Sequence, residues 1–244
     1  MMMGIDFAFL SETFLKLLEA VPTTLGLVSS ALLIGGVWAC VLVAMRLSSH
    51  VVPRSFARVY IFLFRGTPLL IQIFLLYYGV GQFQAIRDSI MWFVLREPYA
   101  CAVMSLALCT AAYTAEILRG AILSIPHGQI EAGVACGMSR FTLLRRIVAP
   151  VAVRYALPAY STEAVMITKA TALASLVTVW EVTGVAQQII QATYRTLEVF
   201  CCAALIYLVI NFTIFRVLGL LEYALSGHLR DPDMPRGTVR REGV

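Results

Sequence analysis

Glu131-Ala132-Gly133-Val134-Ala135-Cys136-Gly137-Met138-Ser139 is a polar-flanked island between long apolar runs, and it continues to Ile147-Val148-Ala149-Pro150. Ala132, Ala135 and Cys136 stand at i, i+3 and i+4, which puts three small side chains on one narrow face of a short helix. Such a face lets a partner's backbone come close. Gly137 suits the left-handed residue that closes a helix, and Ser139 suits the cap of a second one running through Phe141 to Ile147, where Pro150 is expected to interrupt it. The island reads as helix, turn, helix.

Its surroundings are apolar far beyond the soluble norm. The chain is 60% hydrophobic and 14% charged, with a mean hydropathy of +0.83, against roughly 25% charged in a soluble domain. The expected fold is an all-α integral membrane protein with five transmembrane helices, at about 20–45, 59–86, 98–119, 155–179 and 199–221. Asp6, Glu12 and Glu19 punctuate the start, so no cleaved signal peptide is expected and 1–19 reads as an outer segment. The second apolar run is interrupted at Arg65-Gly66-Thr67-Pro68, which must face protein or a polar cavity, because the charge is costly in lipid and the proline frees backbone groups. Glu116 and Arg119 form an i, i+3 pair near the end of the third run. The fourth carries Glu163 and Lys169. Val182 to Tyr194, dotted with Gln187, Gln188 and Gln191, reads as a short helix or loop at the outer surface.

The nineteen basic residues give the sidedness. With the N-terminus outside, thirteen fall on the inner side (in the inner loops, the tail 226–244 and, as Arg119 and Arg216, toward the inner ends of two spans), and four fall outside; Arg65 and Lys169 lie within spans. The positive-inside bias therefore places the loop 120–154, island included, in the cytoplasm. The net charge of +5 is explained by this topology and implies no nucleic acid. Of the six cysteines, five lie in apolar runs and are expected to be packing residues, and the three scattered histidines form no metal constellation.

No bond-making chemistry is visible, and no catalytic residues are assigned. Neither lysine follows a glycine, so the phosphate-binding Gly-Lys-Ser/Thr loop is absent, as are nucleophile-elbow and zinc-protease motifs. An ion-coupled secondary transporter relaying through Glu163 and Lys169 is the alternative of another class; five spans without an inverted repeat argue against it.

The island resembles the EAA loop of ATP-binding-cassette (ABC) importer permeases: Glu-Ala-Ala, three residues, Gly, nine residues, Ile, one residue, Leu-Pro. Glu131, Ala132, Gly137, Ile147 and Pro150 match at that spacing; Gly133 and Ala149 depart from it. Phe64-Arg65-Gly66-Thr67-Pro68-Leu69-Leu70 and Ala112 to Gly120 resemble signature segments of the polar amino acid branch (histidine/glutamine), and within it the octopine and nopaline permeases. The resemblance implies a type I importer permease fold over 20–225 in the bacterial inner membrane. It implies as partners a second homologous permease, an ATPase dimer docked on the loop, and a periplasmic solute-binding protein. ATP is then used by the ATPase, and this chain needs no cofactor. The solute is an opine or a basic amino acid such as histidine or arginine.

For the substrate path, Glu163 leads: an isolated carboxylate in a span is costly unless it meets a cation. Ala170 lies seven residues on, almost two turns, on the same face. Many relatives carry Asp at that position, so its absence removes a second carboxylate. Thr171 beside it, Lys169, and the interruption Arg65-Gly66-Thr67 complete the expected set.

Overall fold

The computed structural model describes residues 6–90 and 92–225, and all regular structure among them is helical. The chain opens with α1 (Phe7–Glu19), capped by Asp6, whose carboxylate accepts the Phe9 amide at 3.1 Å. Ala20 alone separates α1 from α2 (Val21–Leu47). The expected outer segment is thus helical from Phe7 onward, and its Leu17 packs into a core with Val182, Val199 and Ile206.

α3 (Val51–Gly66) and α4 (Leu69–Phe74) follow. α4 continues through a wide turn to Gln82, and the two parts meet at 106°. The second apolar run is therefore a bent pair that begins at Val51, inside the expected basic loop, rather than a straight helix from 59. Short α5 (Gln84–Arg87) and α6 (Trp92–Leu95) lead into α7 (Pro98–Leu123). Next come α8 (His127–Ala135), α9 (Arg140–Leu143) and α10 (Ala149–Ala170), then 3-10 turns over Thr171–Val177, α11 (Val182–Thr193) and α12 (Thr196–Leu225). Three stretches, Phe7–Leu47, Pro98–Leu123 and Thr196–Leu225, are long and apolar enough to cross a membrane alone. Two bent pairs raise the number to five when each counts as one span. The tail 226–244 and residues 1–5 lie outside the described residues.

α7 is the centre of the bundle. Small residues on α2 admit it: a Cβ on Gly35 would collide with Thr110 Cγ2 and stand 2.8 Å from the Ala107 carbonyl oxygen, and one on Gly26 would stand 2.7 Å from the Tyr99 hydroxyl. Close backbone approach of this kind is how helices associate where lipid removes the usual apolar driving force. α11 is more than a surface element, since Val182 and Ala186 are buried against α1 and α12, and Gly184 is buried against Ser175 and Val179. The cysteines divide: all six are unpaired, and Cys101, Cys109 and Cys202 are buried, but Cys40 and Cys201 face outward and do not pack the interior as expected.

Candidate functional site

The island folds as its residues dictate. α8 ends in a Schellman arrangement: the Gly137 amide donates to the Val134 carbonyl at 2.9 Å and the Met138 amide to the Gly133 carbonyl at 3.1 Å. This requires a left-handed residue between the two helices, and Gly137 has φ +74°. Ser139 then caps α9, its hydroxyl accepting the Thr142 amide at 3.2 Å. Glu131, Ala132, Ala135 and Cys136 are exposed, so the narrow face of small side chains is open to a partner. Gly133 is buried on the opposite side, against Leu143 and Ile147 of the second arm. Its departure from the Glu-Ala-Ala pattern is therefore a packing feature of this hairpin.

Pro150 does not interrupt the second arm. The helix widens by one residue per turn at Leu144–Val148, and Pro150 falls at the first positions of α10, where a missing N–H costs little. Arg140–Val177 is one helical body. Glu163 lies 23 residues beyond Arg140, about 35 Å along the axis. One continuous helical element, with Pro158 inside it, thus joins the exposed hairpin to the charged position of the fourth span.

Glu163 is half-buried between α10 and α7, and its Oε1 accepts the Thr110 hydroxyl at 2.9 Å. Among the described residues no cation lies within ion-pair distance of it. The other expected path residues do not converge on it. Thr171 is fully buried with its hydroxyl donated to the Thr168 carbonyl at 2.7 Å. Ala170 packs against the core of Leu27, Ile73 and Leu106. Lys169 is exposed and makes no ion pair with Glu163. Arg65 reaches the Tyr113 ring instead, at 5.0 Å from its centroid.

At the bend, the backbone groups freed by Pro68 need partners, and a residue without any obvious sequence signal supplies them. Gln72 Nε2 donates to the Phe64 carbonyl at 3.0 Å, the Thr67 carbonyl at 3.1 Å and the Thr67 hydroxyl at 2.9 Å. The Thr67 hydroxyl itself donates to the Leu63 carbonyl at 2.7 Å. The break at Gly66–Pro68 is therefore clamped by side chains on both sides of it.

A second carboxylate, Glu181, escaped the sequence reading. It is 0% exposed. Its Oε1 caps α11 by accepting the Gly184 amide at 2.9 Å, and its Oε2 accepts the Tyr207 hydroxyl of α12. Thr24 of α2 lies 3.5 Å from Oε2 and accepts the Val182 amide at 3.2 Å. One buried carboxylate thus ties three helices together. The only local hint was a Glu-Val-Thr-Gly start to a helix, since Glu is not a preferred cap.

An all-helical membrane bundle, with a solvent-facing helix hairpin joined without a break to a charged span, is the architecture of a transport permease. Residues 31–227 match the family described as binding-protein-dependent transport system inner membrane component. The chain belongs to that family, and it is a multi-pass permease of an ABC importer. It is 49% identical to the octopine transport system permease protein OccM of Rhizobium radiobacter over 99% of this chain and 98% of that protein. It is 50% identical to the nopaline transport system permease protein NocM of Agrobacterium fabrum, over 92% and 94%. Among solved structures, an amino acid ABC transporter with histidines superimposes with a TM-score of 0.80 at 30% identity, covering 91% of this chain and 100% of that one.

Proposed function

We propose that this permease imports an opine or a basic amino acid across the inner membrane, with its N-terminus outside and its hairpin in the cytoplasm. The observation that carries the mechanism is the unbroken helical body from Arg140 to Val177. An ATPase dimer docks on the exposed face of α8 around Glu131, Ala132 and Gly137, and its ATP-driven closure displaces the hairpin. Because α9 and α10 are continuous, that displacement reaches Glu163. ATP binding shifts the access state only in so far as it favours one arrangement of the hairpin over the other.

Glu163 is the solute contact in this reading. A half-buried carboxylate with one neutral donor is under-satisfied, and a guanidinium or ammonium completes it. Octopine, nopaline and arginine carry such a cation. A second homologous permease supplies the other wall of the path, and a periplasmic binding protein delivers the solute. ATP is consumed in the ATPase, with no cofactor in this chain. The test is uptake of radiolabelled arginine, histidine, octopine and nopaline by vesicles carrying the assembled transporter, with and without ATP. ATP-dependent uptake of one of them is expected. Uptake driven by an ion gradient alone would overturn the reading.

A further inference from the structure

A cavity of about 510 Å³ opens between α2, α3 and α7, and Glu163 is not among its lining residues. Arg46, Arg58, Phe62, Arg65, Tyr113 and Glu116 line it. Its charge is unbalanced. Glu116 is the one carboxylate there, and it is already engaged: Oε2 lies 2.7 Å from Arg119 Nη2, and Oε1 lies 3.5 Å from Arg46 Nε. Arg58 and Arg65 have no carboxylate within ion-pair distance among the described residues. They stand seven residues apart on α3, close to two turns, so both flank Phe62 on one face. Arg65 is oriented by stacking over Tyr113.

The rim is apolar and outward-facing. Phe62 is 76% exposed, and Val59, one turn before it on α3, is exposed as well. Guanidinium groups beside an apolar, outward-facing helix surface persist where an anion or water meets them. We propose that this cavity binds the headgroup of an anionic phospholipid. The phosphate sits among Arg46, Arg58 and Arg65, and the acyl chains run over Phe62 and Val59. Guanidinium forks match phosphate oxygens in pairs, and basic pockets between transmembrane helices take anionic headgroups. A small soluble anion would use the arginines but not the apolar rim. The site also has a route to the coupling hairpin. Glu116 lies on α7, which ends at Leu123 and is followed after Ser124-Ile125-Pro126 by α8. A bound phosphate fixes Arg46 and, through Glu116, the last turns of α7.

The test uses the assembled transporter, purified in detergent and titrated with phosphatidylglycerol, phosphatidylcholine or inorganic phosphate, with retained lipid read by native mass spectrometry. Wild type is expected to retain phosphatidylglycerol in preference to phosphatidylcholine. Arg58→Gln is expected to lower that retention about fivefold, the factor a near-surface guanidinium contributes to anionic lipid. Arg58→Lys, which keeps the charge but not the fork, should restore part of it, and Arg87→Gln, at the exposed end of α5, should leave it unchanged. Equal retention of the two lipids by wild type would overturn the proposal, as would Arg58→Gln retaining lipid like wild type. Displacement of the lipid by millimolar phosphate would assign the site to a soluble anion and overturn it too. If Arg58→Gln fails to assemble, the wild-type lipid preference and the phosphate competition decide the matter.

Discussion

Gly133→Ala restores the residue that the matched loop pattern carries, and the structure says why this chain departs from it. A Cβ there would lie 2.5 Å from Leu143 Cδ1 and 2.8 Å from Ile147 Cδ1. Both are terminal methyls of flexible side chains, so the hairpin can adjust, but at a cost. Overpacking of this kind costs about 1–3 kcal/mol, while alanine gains about 0.5–1 kcal/mol over glycine inside a helix. The substitution is therefore expected to loosen α8 by up to about 2.5 kcal/mol. Ile147→Val removes the Cδ1 in question and by itself costs about 0.5–1.5 kcal/mol. With Ile147→Val present, one of the two collisions is gone, so the double variant should be more stable than the sum of the singles by at least about 0.5 kcal/mol. Hydrogen exchange of the α8 amides in the assembled transporter reads this local stability directly. Additivity within about 0.3 kcal/mol would mean that α8 does not pack on Leu143 and Ile147.

Gly137→Val is expected to uncouple transport while leaving membrane insertion intact, because a β-branched residue at φ +74° costs about 1–2 kcal/mol or more, whereas Gly137→Asn tolerates that conformation better. Uptake by the valine variant equal to wild type at equal abundance would count against the hairpin as the coupling element. Glu181→Leu orphans the Tyr207 hydroxyl and the Gly184 amide, at about 1–3 kcal/mol for each buried group. Glu181→Gln should be milder, and equal abundance of the two variants in the membrane would refute the assignment. Glu163→Gln should reduce transport of cationic solutes, read as a rise in KM for uptake; an unchanged KM would remove Glu163 from the path. At the start of α1, the Phe9 amide and then the Arg195 guanidinium hold the Asp6 carboxyl below its ordinary 3.8. A lowered carboxyl contributes stability above the unfolded value and loses it as pH falls through the folded one. Protection of the Phe9 amide, taken relative to its intrinsic exchange rate, should accordingly be constant near neutrality and fall only as Asp6 is protonated in acid, a transition that Asp6→Asn removes.

What was legible in the sequence was what is local. Gly137, Ser139 and the small face of α8 act within one or two turns of themselves, so residue type and spacing were enough to give the hairpin. The five apolar runs were visible for the same reason. The Pro150 expectation failed because a proline's effect depends on the hydrogen-bond register before it, and the widened turn at Leu144–Val148 has no signature in residue type. Gln72 and Glu181 were invisible because their roles are set by partners on other segments. Gln72 closes on Phe64 and Thr67 across a bend of 106°, and Glu181 meets Thr24 and Tyr207 from opposite ends of the chain. Ala170 and Thr171 show the converse limit. A shared helical face with Glu163 held in spacing, but Ala170 packs against the core at the end of α10, and Thr171, fully buried, begins the 3-10 turns.

The position of Glu163 depends on a glycine two helices away. Thr110 presents its hydroxyl to Glu163 on one side, and its methyl fits against Gly35 on the other. A methyl at position 35 would meet both that side chain and the Ala107 carbonyl, and the carbonyl cannot turn aside as a side chain can. α2 and α7 would have to separate, drawing Thr110 away from the carboxylate. With Glu163 as the proposed solute contact, Gly35→Ala should therefore disturb solute affinity as well as stability, although residue 35 acts on Glu163 only through Thr110. A variant with Thr110→Ser, which lacks the methyl but keeps the hydroxyl, relieves part of the crowding at Gly35→Ala while preserving the donor. Recovery of uptake affinity in that double variant, beyond what Thr110→Ala gives, would show that the donor's placement matters. Equal behaviour of the Ser and Ala doubles would show that only helix spacing does, and that Glu163 needs no partner from α7.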